Sequence, residues 1–187
     1  NQIGIYSLEH LLFHLPNRYQ DKTYIAPLSS AKVGDEALLE LSIDRIEEAP
    51  TRQRQLLCYL SDDKNHKILL RFFHINQYQK QAFVRDELIQ CFGEIKIGRQ
   101  GLEMYHPEYR LISQKQTPLL EKTLTPIYPL CAGVTQAKMK QWVNTALEIL
   151  KNTVIDDYFE KITNNTMPSF KDSLFLLHHP EKGEDLS

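Results

Sequence analysis

Five runs in the central part of the chain have the pattern of β-strands, and in the first of them Leu39, Leu41 and Ile43 alternate with polar residues, which is the period of a strand with one buried face. In the run from Lys67 to Phe73, the same period places Ile68, Leu70 and Phe72 on a core-facing side and Leu69, Arg71 and Phe73 on the other. Turn-like segments at 62–65 and 98–101 separate neighbouring runs. The pattern therefore predicts five strands, at Leu39–Asp44, Gln55–Leu60, Lys67–Phe73, Glu87–Ile97 and Leu102–Tyr109.

Only the interval between the third and fourth strands has room for a helix, and Gln77 to Val84 would supply about two turns. Five strands with a short helix between the third and fourth are the element order of an OB-fold barrel. Another small antiparallel barrel or sandwich remains the alternative. We therefore predict an α+β protein in which a five-stranded OB-fold β-barrel is flanked by N-terminal and C-terminal helices.

The flanking segments carry helical signals. Ser7 can cap a short helix that ends before Pro16, and Ser169 with Asp172 forms a capping box that begins a helix near the C-terminus. A weaker helix is predicted over Ile155–Ile162. From Thr135 the apolar period becomes helical, and this stripe predicts a core-facing side that includes Trp142: Met139, Trp142, Val143, Ala146, Ile149 and Leu150.

Three prolines between Thr117 and Pro129 predict an extended connection over the surface of the barrel. The chain then divides into three predicted segments. Residues 1–34 form an N-terminal helical lead, residues 35–113 form the OB-fold domain, and residues 114–187 form a linker and a helical connector.

Composition restricts the class of protein. The chain has 187 residues, of which 42% are hydrophobic, and it contains no apolar run of about 18 residues and no secretory signal pattern. Three widely spaced cysteines predict neither a disulfide framework nor a zinc site. We expect a cytoplasmic protein without a membrane partner, and, because the chain begins at Asn1, a piece of something longer.

Charge and aromatic residues concentrate around the third predicted strand. The net charge is −2, but the segment from Arg52 to Arg85 holds seven basic and two acidic residues. Phe73 and Tyr78 lie among these cations. Rings stack on bases of any sequence while cations follow phosphates, so this mixture suits unpaired nucleic acid. The alternative is that Phe73 belongs to a second core layer.

Motifs for catalysis are absent from the sequence. There is no P-loop, no nucleophile motif and no spaced carboxylate pair, so no catalytic residue is predicted. His10 and His14 have the spacing of a two-histidine metal site but lack a third ligand, and no metal site is predicted. A hydrolase using His106 and Glu108 is the weakest alternative, because Pro107 between them suits a turn. The chain is interpreted as a binding module.

Several motifs together resemble the N-terminal wedge region of the bacterial RecG family of ATP-dependent DNA helicases. They occur in family order and span nearly the whole chain, and the blocks around Leu15–Asp21 and His106–Tyr109 are the most specific. The matching residues are Gly4-Ile5, Leu11-Leu12-Phe13-His14-Leu15-Pro16, Arg18-Tyr19-x-Asp21, Arg71-Phe72-Phe73, Phe92-Gly93-Glu94, Gly101-Leu102-Glu103-Met104, His106-Pro107-Glu108-Tyr109-Arg110, Thr125-Pro126-Ile127-Tyr128-Pro129 and Leu176-Leu177-His178.

The resemblance implies an OB-fold wedge, followed in the intact protein by two motor domains that this chain lacks and that use ATP and magnesium; no cofactor is implied for this chain. It also implies action on stalled replication forks and Holliday junctions, with the wedge splitting the branch. Phe73 matches the family's base-stacking phenylalanine. The family's second aromatic position falls on Gln77, with Tyr78 one residue further on, and either could fill it.

We expect Phe73 and Tyr78 to stack on bases while nearby cations hold the DNA backbone. A protein-interaction module that docks on single-strand-binding protein or polymerase components is the alternative. The residues predicted to contact the backbone are Arg52, Arg54, Lys67, Arg71 and Lys80.

Overall fold

A computed structural model describes residues 4–49, 55–74, 76–112, 120–156, 162 and 167–183. The helices are α1 (Leu8–Leu12), α2 (Gln77–Ala82), α3 (Gln136–Lys151) and α4 (Phe170–His178). The strands are β1 (Arg18–Gln20), β2 (Glu36–Ala49), β3 (Gln55–Ser61), β4 (Lys67–Phe73), β5 (Leu88–Glu94), β6 (Lys96–Gly98), β7 (Gly101–Tyr105), β8 (Glu108–Ile112) and β9 (Thr125–Ile127).

Seven of the described strands form one sheet in the order β6-β7-β4-β3-β2-β5-β8. Strands β2, β3 and β4 form an antiparallel meander, β5 returns antiparallel to β2, and β7 runs parallel to β4. Helix α2 lies between β4 and β5, as predicted, and a capping box of Asn76 and Gln79 begins it. This connectivity is that of an OB fold, and the predicted α+β fold class is confirmed.

The fifth predicted strand is divided in two. Strand β7 pairs with β4 and strand β8 pairs with β5, with only His106 and Pro107 between them. Proline has no N–H for a ladder, and His106 has a φ of 45°, so the strand bends sharply there. This bent segment thus joins β7, the second strand of the sheet order, to β8, the last. The predicted strand Glu87–Ile97 is similarly divided into β5 and β6.

The core of the sheet is built from the alternating apolar positions that the sequence predicted. On β4, Ile68, Leu70 and Phe72 are all buried and pack with the inward residues of the neighbouring strands. Cys58 and Cys91 lie in the same core, and burial raises the pKa of each thiol to about 12. Both cysteines therefore act as small core residues.

Backbone contacts divide the chain into two compact units, one of residues 21–121 and one of residues 1–20 with 122–187. In the second unit β1 pairs with β9, and α1 packs on α3. Residues 117–129 were predicted to cross the surface of the barrel. That prediction is wrong for the C-terminal part of the segment, because Thr125 and Tyr128 are buried in the second unit. The three predicted segment boundaries stay a prediction.

Helix α3 forms where predicted, but its buried face is rotated. Leu147 is buried, whereas Trp142 and Ile149 are 39% and 47% exposed. The prediction of Trp142 as a core residue was therefore wrong. At 100° per residue, Trp142 and Ile149 lie at the margin of the stripe centred on Met139, Val143 and Leu150.

Ser169 begins α4 by accepting a hydrogen bond from the backbone N–H of Asp172, as predicted. Most of the helix predicted over Ile155–Ile162 lies outside the described residues. No described helix combines the length and the apolar character needed to cross a bilayer. The cytoplasmic location stays a prediction.

Candidate functional site

Phe73 is the last residue of β4 and is half-buried on the outer face of the sheet. Its ring lies parallel to that of Tyr105, with an interplanar angle of 6° and 6.2 Å between centroids. The ring of His106 is 5.2 Å away. Phe72, whose side chain points the opposite way, belongs to the core. Phe73 is therefore not part of the core cluster, and both rings of the pair are partly exposed.

His106 anchors the end of β4. Its backbone N–H donates to the carbonyl of Arg71 at 2.9 Å, and its ring Nε2 accepts from the backbone N–H of Phe73 at 3.1 Å. A cleft of about 290 Å³ opens beside it, lined by Phe72, Phe73, His74, Gln79, His106, Pro107 and Tyr109. His106 thus positions Phe73, and it does not form a pair with Glu108, whose carboxylate accepts from Lys22 at 2.7 Å.

Arg71 is held by two protein side chains. Its Nε and Nη2 donate to the two carboxylate oxygens of Glu103 at 3.1 and 2.9 Å, and its Nη1 donates to Gln55 Oε1 at 3.0 Å. The Glu103 side chain is 1% exposed and that of Arg71 is 20% exposed. A bidentate pair of this kind is rigid as well as strong. The phosphate contact predicted for Arg71 stays a prediction, and the structure gives Arg71 this structural role.

The protonation of this pair follows from its geometry. Burial acts to raise the pKa of Glu103, but the hydrogen bonds from Arg71 and the Tyr105 hydroxyl, with the charge of Arg71, hold that pKa below its ordinary value. The same hydrogen bond to Glu103, followed by burial, raises the pKa of Arg71's neighbour Tyr105. Glu103 is therefore ionised, and its charge compensates that of Arg71.

Gly98 leaves the space that Glu103 occupies. A Cβ at position 98 would lie 2.1 Å from Cδ of Glu103 and 2.2 Å from its Oε1. We expect Gly98→Ala to lower the free energy of unfolding by about 1–3 kcal/mol, as overpacking does, because the carboxylate cannot move without breaking its bonds to Arg71. Urea unfolding followed by circular dichroism measures the loss. Arg99→Ala, in the same turn but exposed, is the matched control, and equal stability of the two variants would contradict the proposed crowding.

Of the predicted backbone-binding cations besides Arg71, the structure describes Lys67 and Lys80. Lys67 begins β4, about 20 Å along the strand from Phe73 at about 3.3 Å per residue. Lys80, on α2, forms an ion pair with Glu48. Arg52 and Arg54 lie outside the described residues, although the residues that flank their segment, Ala49 and Gln55, lie in register near Phe73. The backbone-binding roles of these four residues stay predictions.

Tyr78 lies on α2 and is 84% exposed. Within the part of the chain that the structure describes, its ring contacts no other aromatic ring. Gln77, the residue at the family's second aromatic position, begins the same helix and is also exposed. The stacking role of Tyr78 stays a prediction.

Sequence reasoning missed three residues of this site: Gly98, Glu103 and Tyr105. They come from the β6–β7 hairpin, which reaches Arg71 only because β7 lies parallel to β4 with Tyr105 opposite Arg71. One signal was present, since Glu103 interrupts an otherwise apolar run between Leu102 and Met104. A carboxylate within such a run indicates either that its side chain lies on the outer face of the strand or that it has a partner of opposite charge. Glu103 satisfies both conditions, because it lies on the outer face and is paired with Arg71.

Together, the strand topology and the element order define an OB-fold domain, a class in which ligands commonly meet the face of the second and third barrel strands and the adjoining loops. Among protein families, the model described as the RecG wedge domain matches residues 1–150. The chain belongs to the RecG wedge domain family.

Relatives extend the match over nearly the whole chain. An ATP-dependent DNA helicase RecG from Pasteurella multocida is 35% identical over 179 residues, which are 96% of this chain and 26% of the relative. RecG from Escherichia coli K12 is 31% identical over 186 residues, which are 100% of this chain and 27% of the relative. The chain thus spans about a quarter of the length of the curated relatives it matches.

A solved structure of RecG bound to a three-way DNA junction has the same fold. It aligns with a TM-score of 0.72 at 20% sequence identity, over 96% of this chain and 25% of that one. The sequence similarity to the RecG family that the motifs indicated is therefore confirmed at the level of family and fold.

Proposed function

We propose that this chain is the branched-DNA-binding wedge of an ATP-dependent DNA helicase that remodels stalled replication forks and Holliday junctions in recombination and repair. The observation that carries the proposal is the half-buried ring of Phe73, held at the end of β4 on the outer face of an OB fold. Membership of the RecG wedge family, and relatives named ATP-dependent DNA helicase, support it. ATP and magnesium would act in motor domains outside this chain.

The proposed mechanism is stacking in place of lost base pairing. Where the arms of a branch part, the terminal base pairs lose a stacking neighbour, and Phe73, with Tyr78 as the predicted second ring, would cap them. A base–aromatic stack contributes roughly 1–3 kcal/mol, comparable to the mean of about 1.4 kcal/mol for one DNA stacking step. The domain would therefore bind the shape of a branch without sequence preference.

Phosphate contacts would supply the remaining affinity. Lys67 has no side-chain partner among the described residues and is free to contact a backbone, while Lys80 would have to exchange Glu48 for a phosphate. Together with Arg52, Arg54 and Arg71, these lysines are the proposed backbone contacts. Their binding would weaken steeply as salt concentration rises, because it releases counterions.

Phe73→Ala tests the proposal. We expect fork affinity to fall roughly 5- to 150-fold, the equivalent of about 1–3 kcal/mol for one stack, while affinity for a linear duplex of equal length is nearly unchanged. Fluorescence anisotropy titration of both DNAs measures the difference. Val33→Ala, which shortens another exposed apolar side chain, is the control. Equal losses on both DNAs, or no loss, would refute the stacking role.

One observation favours the alternative of a protein-interaction module. Arg71, on the same strand as Phe73, and Lys80, on the helix that follows, are both paired with carboxylates, which lowers the charge available to DNA. An apolar groove for a partner such as single-strand-binding protein predicts little change in affinity with salt, whereas phosphate contacts predict a steep loss. Titrations at 50 and 200 mM salt separate the two functions.

A further inference from the structure

Tyr105 has the position of a second nucleic-acid contact beside Phe73. Strand β7 runs parallel to β4, and Tyr105 lies opposite Arg71. Phe73 is two residues beyond Arg71 on β4, so Tyr105 and Phe73 project from the same face of the sheet. The two ring planes are nearly parallel, 6° apart with 6.2 Å between centroids, so the rings form a stacked pair. Tyr105 is 39% exposed, so part of this pair is open to solvent.

The orientation of Tyr105 is set by buried charges. Its hydroxyl bonds to Glu103, which is itself fixed by the bidentate contact with Arg71. The guanidinium carbon of Arg71 and Nζ of Lys96 lie 5.9 and 5.8 Å from the centre of the Tyr105 ring. The Tyr105 hydroxyl is thus bonded to Glu103 while two cations lie near its ring, and these contacts restrict rotation of the ring.

A buried ion pair contributes little net stability, because desolvation offsets the attraction between the charges. Burying Glu103 on the outer face of the sheet therefore requires another reason, and fixing an exposed ring is one that the geometry supplies. A ring that is already ordered loses little conformational entropy when a base stacks on it. A ring as exposed as that of Tyr78, which is 84% accessible, loses more.

From these contacts we infer that Tyr105 is a base-stacking residue that acts with Phe73, and that the Glu103–Arg71 pair is its positioning element. The inference rests on the proposed function, since it requires that Phe73 meet DNA. It places a ring from strand β7, that of Tyr105, beside Phe73 in the proposed stacking site. The ligand is the exposed face of a base or terminal base pair at a branch.

The experiment uses a fork with 2-aminopurine at the branch point, titrated with the chain and followed by anisotropy and by 2-aminopurine fluorescence. Tyr105→Leu keeps apolar cover but removes the flat ring, and we expect it to weaken fork binding roughly 5- to 150-fold, as for the loss of one stack. Tyr105→Phe keeps the ring and should bind within about threefold of the unmodified chain. Tyr24→Ala, at another half-exposed tyrosine of the same unit, is the control.

Circular dichroism of each variant confirms folding, and Tyr105→Ala provides a second removal of the ring. Normal fork binding by both ring-removing variants, with weakened binding by Phe73→Ala, would overturn the inference and leave the proposed function standing. Normal binding by the Phe73 and Tyr105 variants alike would overturn both. Equal weakening by Tyr105→Phe and Tyr105→Leu would assign the effect to the hydroxyl and also overturn the stacking role.

Discussion

Replacing Arg71 with methionine is expected to lower the free energy of unfolding by about 3–5 kcal/mol, the cost of leaving one member of a buried ion pair without its partner. Glu103 would remain 1% exposed without the two charge-assisted bonds that now satisfy its carboxylate. Its pKa would rise, and the loss should shrink toward acidic pH as the carboxyl group takes up a proton. Urea unfolding followed by circular dichroism at several pH values measures this.

The double variant Arg71→Met with Glu103→Leu removes both charges, and we expect it to regain most of the lost stability, since apolar replacement of a buried pair is often neutral. Arg99→Met changes an exposed arginine in the nearby hairpin and should alter stability by less than about 0.5 kcal/mol. If Arg71→Met were as stable as this control, the pair would have no structural role and Arg71 would be available to phosphate.

The second large effect is expected at His178, which is fully buried in the unit formed by residues 1–20 and 122–187. Its Nε2 donates to the carbonyl of Leu12 at 2.9 Å, so its Nδ1 accepts from the hydroxyl of Tyr128, also at 2.9 Å. His178→Leu would leave both partners unsatisfied. At about 1–3 kcal/mol for each, the expected loss is about 2–6 kcal/mol.

The same contacts predict a dependence on pH. Burial lowers the pKa of His178, with the nearby His179 and His14 adding to the effect against the hydrogen bond to Leu12, and burial also lowers the pKa of His179. The unfolded chain therefore binds protons more readily than the folded one below the ordinary pKa of about 6.5. The contribution of these two neutral histidines to the free energy of unfolding is fully present above that pH, and it is lost as the pH falls below it.

The single tryptophan, Trp142, lies in α3 of the same unit and reports its unfolding by fluorescence. His178→Leu should flatten the dependence between pH 7 and 5, leaving the contribution of His179. His10→Leu, at an exposed histidine of α1, is the control and should leave the stability nearly unchanged. A pH profile identical in His178→Leu and the unmodified chain would contradict this role of His178.

The sequence by itself determined the local structure of this protein. Alternation at Ile68, Leu70 and Phe72 placed β4 and its buried face correctly, because a period of two admits one solution where one face is apolar. The caps at Ser7 and Ser169 placed two helix starts, since their hydroxyls accept from the free N–H groups of the first turn. Motifs along the chain also indicated its family, and Phe73 as a candidate site.

Tertiary structure alone decided which residues surround Phe73. The parallel register of β7 on β4 pairs residues such as Arg71 and Tyr105, which are 34 positions apart, and neither alternation nor turn signals encode it. That register places Tyr105 beside Phe73 and buries Glu103 against Arg71, so that Arg71 is half of an ion pair. The pairing of β1 with β9 was hidden for the same reason. Local patterns set which face a side chain occupies, and only long-range pairing sets its neighbours.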